Sequence, residues 1–413
     1  MRYNKKFLAT AIIIALVCCL ILAWIGKYRE TFDNETGQSA NIEDNTINVG
    51  ILFSETGTSS LVEKSMINAA KLAFDEINAN GGVNGKTINY IATDYSSNPE
   101  LAKTKIKELI TKYNVSATVG CYSSASRQAT LPVLKEYNSL LIYPTYTEGE
   151  EINPNVIYTG AMPNQQATEY IPWLMEKCGK KVFLIGCDYV FPVTCNKQAK
   201  RIIDSNGGEI CGEVYVPVGS IDFDSVLEQI KDTDPDFIYC DLIGDSVISF
   251  YKQYYQKGFD TAECPIASIT TDEMSLKEIG AECSEGTYAS MNYFSSLDTE
   301  ASREFVKKYN DYVTDGTTIS TAAESTYDSC YLLAEAMKKV DDVNDTDALI
   351  KAFAGLEFNA PQGKIKVDED NHCTWLYSRF AIVHNGKADI VYESDEPIKP
   401  EPWPSILYPD KAQ

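Results

Sequence analysis

The sequence predicts an α/β protein made of two Rossmann-like lobes with parallel sheets, joined by a three-segment hinge. Short apolar strands alternate with amphipathic helices from Ile47 onward, the alternation restarts after Pro163-Asn164, and two complete sets fit within 413 residues. Strand–helix alternation brings successive strands side by side and parallel, with helices covering both faces. The length suits two to three domain-sized units, and 44% hydrophobic residues supply the cores.

The chain opens on Arg2, Lys5 and Lys6, then an apolar run from Phe7 to Ile25, then Lys27 and Arg29. At about 1.5 Å per residue this run is long enough to cross a bilayer core. Val17, before Cys18, is not the small residue that a processing site favours. Residues 1–29 are therefore expected to be a membrane anchor or signal segment, with the basic end in the cytoplasm and the remainder exported. Residues 30–45 are acidic and aperiodic, as a linker would be.

Ile47–Phe53 alternates as a strand and ends at Ser54-Glu-Thr-Gly57. Ser60 with Glu63 reads as a capping box for a helix whose Ile67, Ala70, Leu72, Ala73, Phe74 and Ile77 keep helical spacing up to Asn80-Gly81-Gly82. Strand 88–93, helix 99–113, strand 117–120, helix 125–137 and strand 139–143 follow. The second set is helix 164–177, strand 181–186, helix 194–205, strand 209–216, helix 223–231, strand 236–241, helix 246–257 and strand 265–269. Helices are expected at 298–311 and 321–339, and His384-Asn385-Gly386 between two apolar runs is a hairpin signal. Crossings near 161–165, 289–293 and 356–360 would give one lobe of 46–162 plus 292–355 and another of 163–291 plus 356–413.

Several function classes fall away. The net charge of −23, with no basic cluster after residue 30, would repel nucleic acid. Two histidines leave little for a metal or an imidazole catalyst. Twelve cysteines without a CxxC pair read mostly as buried thiols, with room for one or two bridges. GxGxxG after the first strand, P-loop, HExxH and GxSxG are all missing, so no cofactor, metal or enzyme is expected. Glu148-Gly-Glu-Glu151 reads as a solvated loop, which leaves paired-carboxylate hydrolysis unsupported.

Ligands of open parallel sheets bind beyond the carboxyl ends of the strands. There lie Gly120–Ser124, Tyr143–Thr147, Cys187–Pro192, Ile243–Ser246 and Ile269–Asp272, rich in aromatics and hydroxyls and almost free of positive charge. Tyr122, Tyr143, Tyr146, Tyr189 and Phe191 can exclude water while the phenols orient a ligand. Ser124 would stand at a helix N-terminus, either gripping a ligand oxygen or simply capping, and Asp245 could cap the helix that follows it.

Taken in order, Gly50-Ile-Leu-Phe-Ser-Glu-Thr-Gly57, Asp75-Glu-Ile-Asn78, Val119-Gly-Cys-Tyr-Ser-Ser124, Tyr143-Pro-Thr145, Glu148-Gly149, Tyr158-Thr-Gly160, Pro163-Asn-Gln165, Asp188-Tyr189 with Pro192, Tyr293-Phe294 and Ala360-Pro361 resemble the type I periplasmic-binding-protein superfamily. The resemblance runs from about Asn45 to Pro404 and points to the urea- and short-chain-amide-binding branch. It implies a small uncharged amide-like ligand between the lobes. Tyr122, Ser124, Tyr143 and Thr145 would contact it from the first lobe, and Tyr189 and Thr270 from the second. Phe191 stands where amide sensors usually carry a tyrosine. Gly244-Asp245-Ser246 is similar to urea-binding relatives, while 267–271 and 360–363 are closer to the amide sensors.

Urea carries two amino groups, so burial demands several acceptors, and Asp245 would supply a charge-assisted one. Binders of branched-chain amino acids would need a cation for the carboxylate, which these loops lack. Two functions compete: delivery of solute to ABC permease subunits, and a membrane-tethered amide or amino-acid sensor that reports to a signalling partner.

Overall fold

The computed structural model describes residues 45–411; the anchor or signal segment 1–29 and nearly all of the linker 30–45 lie outside the described residues. Strand β1 (Thr46–Phe53) leads into α1 (Ser60–Ala79), β2 (Thr87–Asp94), α2 (Pro99–Tyr113), β3 (Ala117–Gly120), α3 (Ser124–Tyr137), β4 (Leu141–Tyr143) and β5 (Val156–Tyr158). These strands form one sheet in the order β2-β1-β3-β4-β5, with β1, β3, β4 and β5 parallel. Strand alternation divides the residues between two layers. Val49, Ile51 and Phe53 share a core with Met66, Ala70 and Phe74 of α1, whereas Leu52 joins Ile106 and Leu109 of α2 and Leu134 of α3.

Local chemistry sets the helix ends. Asn98 accepts from the amides of Glu100 and Leu101, Pro99 opens α2, and Asn114 closes it with φ 49°. The capping box expected at Ser60 and Glu63 does not form. Glu63 is fully buried and its carboxylate instead accepts the Ser54 amide at 2.7 Å, tying the loop after β1 to the helix.

The second set begins with α4 (Pro163–Gln166) and α5 (Tyr170–Cys178), which the sequence reads as a single helix. At the break the Gln166 backbone carbonyl accepts the Ser290 hydroxyl at 2.8 Å. Gln165 accepts the Met162 amide, and Gln166 donates to the carbonyls of Ile269 and Ser290. Next come β6 (Lys181–Cys187), α6 (Val190–Ser205), β7 (Glu209–Val216), α7 (Asp224–Thr233), β8 (Phe237–Asp241), α8 (Asp245–Gln256), β9 (Ile266–Ser268), α9 (Glu273–Ile279), α10 (Ala281–Ser284) and β10 (Tyr288–Met291). After these run α11 (Glu300–Tyr312), α12 (Thr321–Met337), α13 (Thr346–Phe353), β11 (Glu357–Ala360), β12 (Gly363–Val367), β13 (Thr374–Trp375), β14 (Arg379–His384) and β15 (Lys387–Glu393).

The second sheet has the order β15-β14-β10-β9-β8-β6-β7, parallel from β7 to β10 and antiparallel at β14 and β15. Its hairpin turns at Asn385 and Gly386, with φ 52° and 72°, the geometry that an Asn-Gly pair favours. α12 packs on α1, beside the first sheet. β11–β13 form a small antiparallel sheet that touches the first sheet through the Tyr158–Cys373 bridge. All ten described cysteines are free thiols, and no helix among the described residues is long and apolar enough to cross a membrane.

Candidate functional site

The five loops singled out in the sequence all follow parallel strands: 121–123 after β3, 144–150 after β4, 188–189 after β6, 242–244 after β8 and 269–272 after β9. The loop after β4 meets α6, which flanks the second sheet. The Tyr146 and Phe191 rings lie 5.4 Å apart, the Gln198 amide donates to the Glu148 carbonyl at 2.7 Å, and Lys197 pairs with Glu150 at 3.1 Å. Gly244, in a left-handed conformation (φ 58°), abuts Thr58; a Cβ there would sit 2.7 Å from the Thr58 carbonyl oxygen.

On the first wall, Cys121 holds φ 61°, a costly conformation for a residue with a side chain. Three bonds fix this turn. The Cys121 amide donates to the Leu52 carbonyl at 2.9 Å, Thr145 Oγ1 donates to the Cys121 carbonyl at 3.2 Å, and the Tyr122 amide donates to the Tyr95 hydroxyl at 3.1 Å. The turn thereby presents Tyr122, whose hydroxyl lies 3.1 Å from that of Tyr146. On the facing wall Phe191 is buried, with Tyr189 stacked at 6.3 Å.

Behind the first wall stands a buried ion cluster. Arg127 Nη2 meets Glu148 Oε1 at 3.0 Å, and its Nε meets Glu151 Oε1 at 3.0 Å. Ser124 Oγ donates to Glu148 Oε2 at 2.5 Å, and the guanidinium lies 4.9 Å from the Tyr143 ring centre. Glu148 is only 2% exposed, so the solvated-loop expectation for 148–151 fails at its first residue: the Arg127 charge makes burial of that carboxylate tolerable.

On the second wall, Asp272 caps α9 through the Ser275 amide at 3.2 Å and accepts the Thr321 amide of α12 at 3.3 Å. Its negative charge bears on the hydroxyls of Tyr122 and Tyr146, which burial already pushes up. Burial also raises the Asp272 carboxyl to about 6, that of Glu273 to about 7 and that of Glu63 to about 7. Folded-state values above the unfolded ones favour the fold at low pH and cease to do so as these groups ionise. Stability of the full chain is accordingly expected to fall as pH rises from about 4.5 to about 7, where the raised Glu63 and Glu273 values lie, read as melting temperature against pH.

Of the eight residues anticipated as contacts, the fold brings Tyr122, Tyr189 and Phe191 together around Tyr146. Tyr143 is wholly buried and donates to the Tyr122 carbonyl at 2.8 Å, so it shapes the wall from behind. Thr145 and Thr270 spend their hydroxyl protons on the Cys121 and Leu242 carbonyls and hold the loops in place. Ser124 is the first residue of α3 rather than its cap; Ser123 caps, accepting the Ser126 amide at 3.2 Å. Asp245 is likewise one residue inside its helix, capped by Gly244, and is exposed.

Sequence reasoning passed over Arg127 and, within a loop it did quote, Asp272, and it gave Glu63 and Glu148 other roles, a cap and a solvated loop. One signal was available: an arginine in the first turn of α3 opposes the helix dipole and so calls for dedicated anions. Gly160 was quoted only as part of a family-like segment, without its packing role. A Cβ there would lie 2.1 Å from the Thr145 carbonyl, so Gly160→Ala is expected to push Thr145–Tyr146 out of place and destabilise by about 1–3 kcal/mol, measured by chemical denaturation.

A family model described as a periplasmic binding protein domain matches residues 47–409. The Leu/Ile/Val-binding protein homolog 6 of Brucella suis is 23% identical over 337 residues, covering 79% of this chain and 85% of its own length. A solute-binding protein of an ABC transporter from Rhodopseudomonas palustris, solved with 4-hydroxybenzoate, superposes with a TM-score of 0.79 at 21% identity, over 87% of this chain and 98% of that one. The branched-chain amino acid transporter substrate-binding protein of Streptococcus pneumoniae, solved with isoleucine, gives a TM-score of 0.75 at 23% identity, over 84% and 99%. The α/β architecture with parallel sheets is thus that of type I periplasmic binding proteins. The names of these relatives speak of branched-chain amino acids and a benzoate rather than of urea or amides.

Proposed function

The chain belongs to the periplasmic binding protein domain family, and from that membership we propose that it is the extracytoplasmic solute-binding component of an ABC-type uptake system, closing lobes 46–162 plus 292–355 and 163–291 plus 356–413 around its solute. The transport reading is favoured over a tethered sensor because the similar solved proteins are described as transporter components.

For the solute we propose a small, uncharged, donor-rich molecule of the urea or short-chain amide type. One observation carries this. The guanidinium behind the wall is already matched by two carboxylates, while the Asp272 carboxylate, with lone pairs beyond those given to the Ser275 and Thr321 amides, lies near enough to the Tyr122 and Tyr146 phenols for its charge to act on them. An anionic solute would meet Asp272 without a free cation beside it, whereas amino groups would gain charge-assisted bonds. A second reading, an amino acid, draws on the relatives' names and on the α3 N-terminus, which could take a carboxylate while Asp272 took the ammonium.

Calorimetric titration of the full chain with urea, acetamide, leucine and 4-hydroxybenzoate separates these. Binding of urea or acetamide alone is the expected result. Binding of leucine alone would replace it with the amino-acid reading, and binding of 4-hydroxybenzoate alone would overturn both.

A further inference from the structure

A second group of buried carboxyls lies further along α12, beyond the Thr321 amide that Asp272 accepts, where the layers of the two sheets meet. Glu324 and Asp328 stand one turn apart on the same face of α12 and are both buried. Gln362, in the turn between β11 and β12, reaches both. Its amide N–H donates to Glu324 Oε1 at 3.0 Å, and its Nε2 donates to Glu324 Oε2 at 3.0 Å and to Asp328 Oδ2 at 3.2 Å. The Gln362 carbonyl in turn accepts Arg379 Nη2 at 2.7 Å, and Arg379 Nη1 donates to the Asn292 carbonyl.

Arg379 belongs to β14 of the second sheet, and Asn292 directly follows β10 of the same sheet, whereas α12 packs on α1 beside the first sheet. A single hydrogen-bonded chain, from α12 through Gln362 to Arg379, therefore ties the two halves together. The charged and titratable groups around the carboxyls are few. Arg379 faces Glu324 from β14 but forms its ion pair with Glu393 of β15 at 2.8 Å. The Tyr293 hydroxyl, engaged with Ser302 at 2.9 Å, faces them from the loop after β10, and the buried Cys330 thiol lies beside Asp328 on α12.

Two carboxylates this close, wholly buried and served by a neutral amide, cannot both ionise without strong mutual repulsion. Asp328 Oδ1 has no hydrogen-bond partner although it is buried, so a proton held on this pair has an oxygen available to it. Burial, before any other cause, raises Glu324 to about 7, and burial together with the charge of Glu324 raises Asp328.

We propose that Glu324 and Asp328 hold one proton between them as a lock in the joint between the two sheets, and that losing this proton loosens the joint and weakens solute binding. The two carboxylates then repel each other, and as they part Gln362 can no longer donate to both, so the chain through Arg379 loses its geometry at the α12 end. This rests on the reading of the cleft as a closing solute site for its affinity arm, but not for its shape arm.

The test is small-angle scattering of the solute-free full chain at pH 5.5 and 8.5, with wild type, Asp328→Asn and Glu324→Gln, alongside titrations with urea and with leucine at both pH values. The wild type is expected to have a larger radius of gyration at pH 8.5, and its affinity ratio between pH 8.5 and 5.5 is expected to be several-fold lower than that of either variant, in which Asp272 titrates alike. Either substitution should remove most of the change in radius. A wild-type radius that does not change with pH overturns the proposal, as does a pH response that persists unchanged in both variants. If neither solute binds, the uptake reading of the cleft fails on its own, and the scattering still decides whether the lock exists.

Discussion

Arg127→Met is expected to cost about 3–5 kcal/mol of stability, the range for removing one member of a buried ion pair. The cause is not the lost guanidinium itself but the carboxylate left behind. Glu148 is 2% exposed, and its bonds to Arg127 and Ser124 offset its desolvation. Without the arginine, Glu148 either keeps an uncompensated charge or takes up a proton. Methionine fills part of the space against Tyr143 but supplies no donor. The control is the double variant Arg127→Met with Glu148→Gln, which removes both charges and should recover much of the loss. Chemical denaturation of the full chain measures both, as a midpoint shift at constant slope. If the single and double variants are equally destabilised, the cost lies in packing against Tyr143 and Tyr158 rather than in the orphaned charge.

Asp272→Asn should weaken binding of the solute by about 1.5–3 kcal/mol, the range for hydrogen bonds to a charged group. Asparagine can still cap α9 through its Oδ1, but its Nδ2 would face the Thr321 amide that Oδ2 accepts, so some loss is expected in the melt and the solute term is the loss of affinity measured on the folded variant. Asp245→Asn is the comparison. Asp245 is exposed in the first turn of α8, where solvent screens its charge, and its effect should be the smaller of the two. Titrations of urea and acetamide against each variant measure this. A larger loss at Asp245 than at Asp272 would move the acceptor to the lip of the cleft, where the loop sequence alone first places it.

The sequence by itself determined the α/β class, the two parallel sheets and the hairpin at Asn385-Gly386, because each is written in local signals. Strand alternation separates Leu52 from Ile51 and Phe53, Asn98-Pro99 starts α2, and an Asn-Gly pair adopts left-handed backbone at low cost. It also named the loops at the C-terminal ends of the parallel strands, since those follow from strand order alone.

What only the tertiary structure decided was the work of individual polar side chains inside those loops. Glu63 has the spacing of a capping residue, yet its burial against Ser54 turns it to a different amide. Glu148 looks like a surface glutamate until Arg127, 21 positions away in the chain, is folded against it. Asp272 is one acid among 59 Asp and Glu residues until the amide of Thr321, 49 positions on, meets its carboxylate. Local sequence encodes which backbone a residue adopts, through sterics and hydrogen bonds spanning a few residues. The cost of burying a charge depends instead on which distant group reaches it, and that is fixed only when the sheets and helices have packed.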